Sequence, residues 1–167
     1  MPFSLFPKVI APSLTEIPLE LFRQRGIRLV MLDFDNTIVP YTTSCPTEEM
    51  AAWLKELIGS ELQVCIVSNS HKDRVKIFCD AYGLACITYA RKPFSKGIRE
   101  CLNRYGIPAD QAALIGDQIY TDVLGANCTG LTSVLVSAID NHNFWLKARH
   151  VLELPFIFAA RNRRINK

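Results

Sequence analysis

No two of the six cysteines in this 167-residue sequence have C-x-x-C spacing, and only three histidines occur. The sequence therefore lacks the ligand pairs of a zinc ribbon and the motif of a thiol oxidoreductase. Most of the cysteines lie in apolar runs, which is typical of reduced cysteine packed as a small apolar residue. This use of cysteine favours a cytoplasmic protein.

Long apolar runs and a large excess of one charge are also missing. No stretch approaches the roughly 18 to 20 apolar residues that cross a bilayer. The N-terminal MPFSLFPKVIAPSL lacks the apolar run and cleavage site of a secretory signal. The net charge of +3 is too small for a dedicated nucleic-acid binder. We therefore expect no nucleic-acid partner and a protein that is soluble or at most peripheral to a membrane.

The composition suits one folded domain. Apolar residues make up 49% of the chain and charged residues 21%, a balance typical of globular proteins. Because a domain averages about 150 residues, the length predicts a single domain over residues 1–167. We expect its core at about residues 27–137, with a peripheral N-terminal segment, 1–26, and a peripheral C-terminal tail, 138–167.

Short apolar runs alternate with amphipathic segments from Leu29 onward, which is the pattern of repeated β-α-β units. Five strands are predicted, in the segments Arg28–Phe34, Gln63–Val67, Cys86–Tyr89, Ala112–Ile115 and Leu131–Val136. Helices are predicted at about 47–60, between 70 and 83, at about 95–105 and at about 120–127. This order predicts a three-layer, Rossmann-like α/β sandwich whose central parallel sheet has the strand order 3-2-1-4-5.

Polar residues follow the first four strands, at the sheet edge where ligands of such folds bind. They are Asp33, Asp35, Asn36, Thr37, Ser68, Asn69, Ser70, Arg91, Lys92, Asp117 and Asp122. Carboxylates that meet in a cleft stay ionised only beside a cation, unless one of them takes a proton. Oxygen ligands without histidine or thiolate favour Mg²⁺. Lys92 and the hydroxyl groups favour an anion, and a phosphate would bridge them to the metal.

Asp33 and Asp35 have the spacing that phosphoryl transfer to an aspartate requires. One carboxylate can attack phosphorus, and a second, two positions later, can transfer protons. Alternation along the strand turns the intervening Phe34 towards the core. Lys96 competes with Lys92 for the role of the cation, but it lies one helical turn further on, and Lys92 is therefore preferred.

Four ordered motifs, DFDNT, SNS, KP and GDQIYTD, resemble those of the haloacid dehalogenase (HAD) superfamily of aspartate-nucleophile phosphatases. More narrowly, LDFDNTIVP, VSNS, RKP and IGDQIYTDVLGAN resemble the YqeG-like family of subclass IIIA, which is related to phosphatidylglycerophosphate phosphatases. The resemblance covers roughly residues 13–136. It implies a HAD-like fold, Mg²⁺ as the cofactor, and hydrolysis of a phosphomonoester through an aspartyl-phosphate.

The resemblance also implies roles for the matching positions. Asp33 matches the nucleophile, and Asp35 matches the general acid and base whose backbone carbonyl also binds Mg²⁺. Ser68 matches the phosphate-binding hydroxyl, Lys92 the lysine that neutralises the phosphoryl oxygens, and Asp117 the acidic metal ligand.

Three further residues keep two interpretations each. Asp122 is either a second metal ligand or an acid in the first turn of its helix. Thr37 either contacts the phosphate, as Asn69 is also expected to do, or caps the turn. His71 fits the polar entry to a helix better than a catalytic role.

The connections between the motifs are too short for an inserted cap domain. A flap at residues 40–44 and single helices fill them, so we expect an open site without a large cap. Asn36 stands where glycine is common in the wider superfamily.

The motifs do not specify a substrate. The candidates are phosphatidylglycerophosphate and, as alternatives, soluble nucleotides or phosphosugars. The tail VLELPFIFAARNRRINK combines apolar with basic residues, which fits either peripheral contact with an anionic membrane or a final packed helix. An oligomer is compatible with all of these alternatives.

Two non-enzymatic functions compete with hydrolysis. One is a phospho-acceptor module of the receiver type, but such modules lack an acid two residues after the acceptor, the position of Asp35. The other is a membrane-bound scaffold with a vestigial site, which the complete motif set disfavours.

Overall fold

A six-stranded, wholly parallel sheet forms the centre of the protein. The computed structural model describes residues 3–71 and 73–140. The strands are β1 Val9–Ile10, β2 Leu29–Leu32, β3 Gln63–Val67, β4 Ala85–Ile87, β5 Ala112–Gly116 and β6 Thr132–Leu135. The helices are α1 Glu20–Gln24, α2 Glu48–Ile58, α3 Asp73–Tyr82, α4 Ser95–Tyr105 and α5 Leu124–Thr129. A π-helical turn, Ile119–Val123, leads from β5 into α5.

The strand order is β1-β6-β5-β2-β3-β4. It confirms the predicted order of the five main strands and adds β1 at the edge beside β6, where Val9 pairs with Val134. The strand that precedes the D-x-D motif, β2, lies between β3 and β5. The residues that follow these three central strands therefore emerge side by side.

Alternate residues of the strands face two separate apolar layers, as expected for strands buried on both faces. Val30 and Leu32 of β2 pack on the same side as the buried face of α2 and α3. Leu29 and Met31 face the opposite side, towards α4 and α5. This arrangement confirms the predicted three-layer sandwich.

The N-terminal segment contributes more to the core than the sequence predicts. Leu14, Ile17 and Phe22 are each at most 2% exposed and belong to the apolar layer that contains α2. The indole Nε1 of Trp53 on α2 donates a hydrogen bond of 3.0 Å to the carbonyl of Ile17. The expected peripheral position of the tail stays a prediction, because residues 141–167 lie outside the described residues.

Neither connection between the first motifs holds a further domain in the part of the chain that the structure describes. The β2–β3 connection contains a loop and α2, and the β3–β4 connection contains α3. Among the described residues, no helix has the length and apolar character needed to cross a bilayer.

Candidate active site

The predicted site residues come together at the carboxyl edge of the sheet. Here an open cavity of about 340 Å³ is lined by Asp33, Asp35, Tyr41, Ser68, Asn69, Ser70, His71, Lys92, Gln118 and Thr121. These side chains follow β2, β3, β4 and β5, as the strand order requires. The topology thus brings four motifs that are far apart in the sequence to one polar opening.

Lys92 makes two ionic contacts in the site. Its Nζ lies 2.6 Å from Oδ1 of Asp33 and 2.7 Å from Oδ1 of Asp122. The side chains of Lys92 and Asp122 are each only 1% exposed. The structure therefore places Lys92, the lysine preferred over Lys96, against the predicted nucleophile.

Burial and neighbouring charges act in opposite directions on these groups. The pKa of Asp33 is raised to about 6, because burial and, to a lesser extent, the charge of Asp122 outweigh the lowering effect of Lys92. Burial lowers the pKa of Lys92, but the carboxylates of Asp122 and Asp33 outweigh it and leave the net pKa raised. Lys92 is thus held as a cation beside carboxylates that are costly to ionise.

Three buried carboxyl groups form a cluster of the size that a metal ion requires. Asp33, Asp117 and Asp122 each offer an oxygen within 4.8 Å of the others. The hydroxyl of Thr37 lies between two of them, 3.4 Å from Oδ2 of Asp33 and 3.3 Å from Oδ1 of Asp117. Because one lysine cannot balance three carboxylates, this donor set fits a hard divalent cation.

Gly116, the last residue of β5, leaves room for one member of the cluster. A Cβ atom at this position would collide with the carboxyl group of Asp122. That carboxylate also accepts hydrogen bonds at Oδ2 from the backbone N–H of Gln118 and the hydroxyl of Thr121, each at 3.2 Å. The Asp122 side chain thus packs against the end of β5, with its carboxylate in contact with Lys92.

Ser68 and Asn69, two further predicted substrate contacts, differ in the hydrogen bonds that their side chains make. Ser68 is 1% exposed and lines the cavity, and its Oγ accepts a 3.0 Å hydrogen bond from the backbone of Ser70. Asn69 also lines the cavity, but its amide exchanges two hydrogen bonds with the backbone of Lys92, at 2.7 and 2.9 Å. These bonds hold the Lys92 loop against the end of β3.

Asn36 shows why asparagine can stand where the superfamily often has glycine. Its φ is +65°, a left-handed conformation that asparagine adopts more readily than most residues do. Its side-chain amide bonds the carbonyl of Asp140 at 2.6 Å and the N–H of Asp140 at 3.1 Å. The departure from glycine is therefore compatible with the turn that carries the D-x-D motif.

Arg74 is a residue of this region that the sequence analysis does not single out. Its guanidinium forms an ion pair with the carboxylate of Asp35. It also donates to the carbonyls of Tyr41 and Thr43 in the flap, at 2.9 and 2.8 Å. The available signal is weak, because it is only an arginine in the first turn of the helix after the SNS motif.

Phe34 and His71 take the positions expected of them. Phe34 is fully buried and packs edge-on against Phe78 of α3, with ring centroids 5.1 Å apart. His71 is exposed just before α3, and its ring stacks on Tyr89 at 5.3 Å.

Sequence comparisons find proteins that are similar to this chain. The family model with the description "HAD-hyrolase-like" matches residues 89–142. The probable phosphatase YqeG of Bacillus subtilis is 32% identical over 130 residues, which cover 78% of this chain and 76% of that protein. Phosphatidylglycerophosphate phosphatase 1 of Arabidopsis thaliana is 23% identical over 94% of this chain, which spans 48% of that protein.

Solved structures share the fold at low sequence identity. A hypothetical protein of Xanthomonas campestris superposes with a TM-score of 0.58 at 18% identity, over 89% of this chain and 80% of that one. The cobalt-bound deoxy-D-mannose-octulosonate 8-phosphate phosphatase of Haemophilus influenzae gives a TM-score of 0.54 at 14% identity, over 75% of each chain. The fold, the gathered motifs and the extended identity to the Bacillus protein together show that this chain belongs to the YqeG-like phosphatases of the HAD superfamily.

Proposed function

We propose that the protein hydrolyses phosphomonoesters with Mg²⁺ through an aspartyl-phosphate at Asp33. The observation that carries this proposal is the placement of the Asp33 carboxylate, which lines the cavity and contacts Lys92. Ser68 lines the same cavity, and it supplies a hydroxyl for the phosphoryl oxygens. A nucleophile, a cation and hydrogen-bonding groups are thus brought to one opening.

The reaction takes two steps at phosphorus. The Asp33 carboxylate attacks, a new oxygen–phosphorus bond forms, and the ester bond breaks as Asp35 gives a proton to the leaving oxygen. Water then attacks the phosphorus of the aspartyl-phosphate while Asp35 takes a proton from it. Inorganic phosphate leaves and the Asp33 carboxylate is restored. Lys92 stays beside the phosphoryl oxygens and stabilises their charge in both steps.

Asp33, Asp117 and the backbone carbonyl of Asp35 would hold Mg²⁺, with Asp122 as the remaining acid of the cluster. Bound Mg²⁺ would neutralise phosphoryl oxygens and orient the phosphate for in-line attack. Because Asp122 already pairs with Lys92, we assign it to positioning that lysine and to the electrostatics of the metal site. The Thr37 hydroxyl lies within hydrogen-bond distance of both the Asp33 and the Asp117 carboxylates and can donate its proton to either.

For the substrate, we propose a phosphate on a lipid headgroup, presented at a membrane surface. The named activity of the Arabidopsis relative supports this choice, and so do two exposed aromatic side chains: Tyr89, whose ring stacks on the cavity-lining His71, and Phe94, two residues after Lys92. Tyr89 is 61% exposed and Phe94 73% exposed. Aromatic side chains beside basic ones, here Arg91 and Lys96, suit contact with an anionic bilayer surface.

A panel assay tests the activity and the substrate class together. The purified protein with Mg²⁺ is given p-nitrophenyl phosphate, a nucleoside monophosphate, a phosphosugar, and phosphatidylglycerophosphate in anionic vesicles. We expect turnover, with the lipid preferred. Preference for a soluble ester, without vesicle binding at moderate salt, would overturn the lipid assignment but would still support a phosphatase activity. Phosphorylation without turnover would instead favour the receiver-like alternative.

Matched variants test the contact with the bilayer. Phe94→Ser should lower the rate on the lipid in vesicles and leave p-nitrophenyl phosphate unchanged. Ile77→Ser is the control, since Ile77 is also exposed, at 65%, but belongs to α3, which packs on the opposite face of the sheet from α4, the helix that Phe94 precedes. Equal effects of the two substitutions would contradict a bilayer contact through the region of Phe94.

A further inference from the structure

Arg74 joins two parts of the site that the sequence keeps apart. The guanidinium pairs with the carboxylate of Asp35 through Nη2 and donates from Nη1 to the carbonyls of Tyr41 and Thr43. A weaker contact of 3.4 Å reaches the carbonyl of Pro40. One side chain on α3 therefore binds both the second acid of the D-x-D motif and the backbone of the flap.

The surroundings of Arg74 hold its side chain in this position. The guanidinium carbon lies 5.1 Å from the centroid of the Phe34 ring, an arrangement that favours a cation over an aromatic face. The side chains of Arg74 and Asp35 are each only 14% exposed. A planar guanidinium can satisfy several acceptors at once, which the ammonium of a lysine cannot do with the same geometry.

The flap matters because it borders the cavity. Tyr41 lines the cavity together with Asp33, Asp35 and Lys92. Arg74 ties the backbone carbonyls of Tyr41 and Thr43 to α3. Through these contacts Arg74 fixes the position of Tyr41, which lines one side of the cavity, relative to the reacting groups.

We propose that Arg74 is a positioning residue that clamps the flap, residues 40–44, and the Asp35 carboxylate into one unit beside the cavity. The contact through Oδ1 leaves Oδ2 of Asp35 for proton transfer to and from the reacting oxygens. Without the guanidinium the carboxylate can rotate and the flap loses three backbone contacts. This role rests on the proposed phosphatase reaction, in which Asp35 protonates the leaving group.

Leaving groups of different basicity separate positioning from general structural damage. The ratio kcat/KM reports the first phosphoryl transfer, from the ester to Asp33. Hydrolysis of the aspartyl-phosphate, which is the same for every ester, does not affect this ratio. An alkyl phosphate such as glycerol 3-phosphate needs a proton on its leaving oxygen, whereas p-nitrophenyl phosphate needs little help. In Arg74→Ala we expect kcat/KM to fall about 100-fold for the alkyl ester and less than about threefold for the aryl ester.

Two further variants complete the comparison. Arg74→Lys should recover part of the lost kcat/KM on the alkyl ester, because lysine keeps the positive charge near Asp35. It cannot bind Asp35 and the flap carbonyls with the two-nitrogen geometry of the guanidinium. Lys76→Ala is the matched control on the exposed side of α3 and should change neither ester. An equal fall on both esters in Arg74→Ala, or no fall on either, would overturn the positioning role.

Proteolysis tests the clamp without any turnover. Chymotrypsin should cut after Tyr41 at least about tenfold faster in Arg74→Ala than in the wild type or in Lys76→Ala, because local opening governs cleavage. An unchanged cleavage rate would refute the clamp. An inactive wild-type protein would instead refute the phosphatase reaction, and the cleavage comparison would still decide whether Arg74 holds the flap.

Discussion

The ammonium nitrogen of Lys92 lies 2.6 Å from Oδ1 of Asp33, although 59 positions separate the two residues in the chain. The contact exists because β2 and β4 flank β3 in the same parallel sheet, so that the loops after them meet. On its other side Lys92 contacts Asp122 at 2.7 Å. The cation thus stands between the proposed nucleophile and an acid of the metal cluster.

Removal of this cation should destabilise the protein and make it depend more on Mg²⁺. Lys92→Met leaves buried carboxylates without their partner, and the expected loss in unfolding free energy is about 3 to 5 kcal/mol. Mg²⁺ should restore more stability to this variant than it adds to the wild type. Urea unfolding with and without Mg²⁺ measures both effects. Lys96→Met, at an exposed lysine of α4, is the control, and an equal response of the two variants would contradict the account.

The metal-free protein should lose stability as pH rises because of Asp33. Burial raises the pKa of this carboxyl from 3.8 to about 6, so the folded state binds the proton more tightly than the unfolded state does. The stability that this contributes is complete below about pH 4 and is lost as pH rises through about 6. Relative to Asp33→Asn, the wild type should lose on the order of 3 kcal/mol across this window. Unfolding of both proteins in chelator measures the difference, and a flat difference would contradict the raised pKa.

Gly116→Ala should disturb Asp122 directly. The added Cβ would meet the carboxyl group of Asp122, and such overpacking costs about 1 to 3 kcal/mol. Turnover should fall as well, because Asp122 holds Lys92. In the double variant Gly116→Ala/Asp122→Ala the collision is absent, so the two losses of stability should not add. Additive losses of unfolding free energy would show that the glycine is required for another reason.

Chelation should stop turnover reversibly, and Mg²⁺ should restore it. Ca²⁺ should not restore it, because its larger and looser coordination shell would misplace the carboxylate nucleophile relative to phosphorus. Steady-state assays with each ion after chelator treatment provide the test. Full activity in excess chelator would exclude the metal requirement.

The fold follows from local patterns in the sequence to a large extent. The β3 strand, Gln63–Val67, and the α4 helix, Ser95–Tyr105, have the predicted bounds. Apolar runs and amphipathic periods determine such elements, and the parallel topology then follows from their alternation. The strand β2 is shorter than the predicted segment Arg28–Phe34, because its regular pairing with the neighbouring strands ends at Leu32. The chain turns at the motif, although Phe34 remains apolar and buried.

Other features depend on contacts that no local pattern encodes. The β1 strand has only two residues, Val9 and Ile10, and owes its place to pairing with β6. The burial of Leu14 and Ile17 depends on the position of α2 rather than on any period in the segment. Arg74 and the backbone contacts of Asn69 emerge only after distant strands have brought their partners close. The roles assigned to the site residues stay predictions until they are measured.

The most direct test of the central claim is to identify the residue that carries the phosphoryl group. The protein is mixed with substrate and Mg²⁺, quenched within one turnover and treated with borohydride, which reduces an aspartyl-phosphate to homoserine. Mass spectrometry then locates the reduced residue. We predict homoserine at position 33 in the wild type and none in Asp33→Asn. Turnover without homoserine at position 33, or homoserine at position 35 instead, would contradict the account.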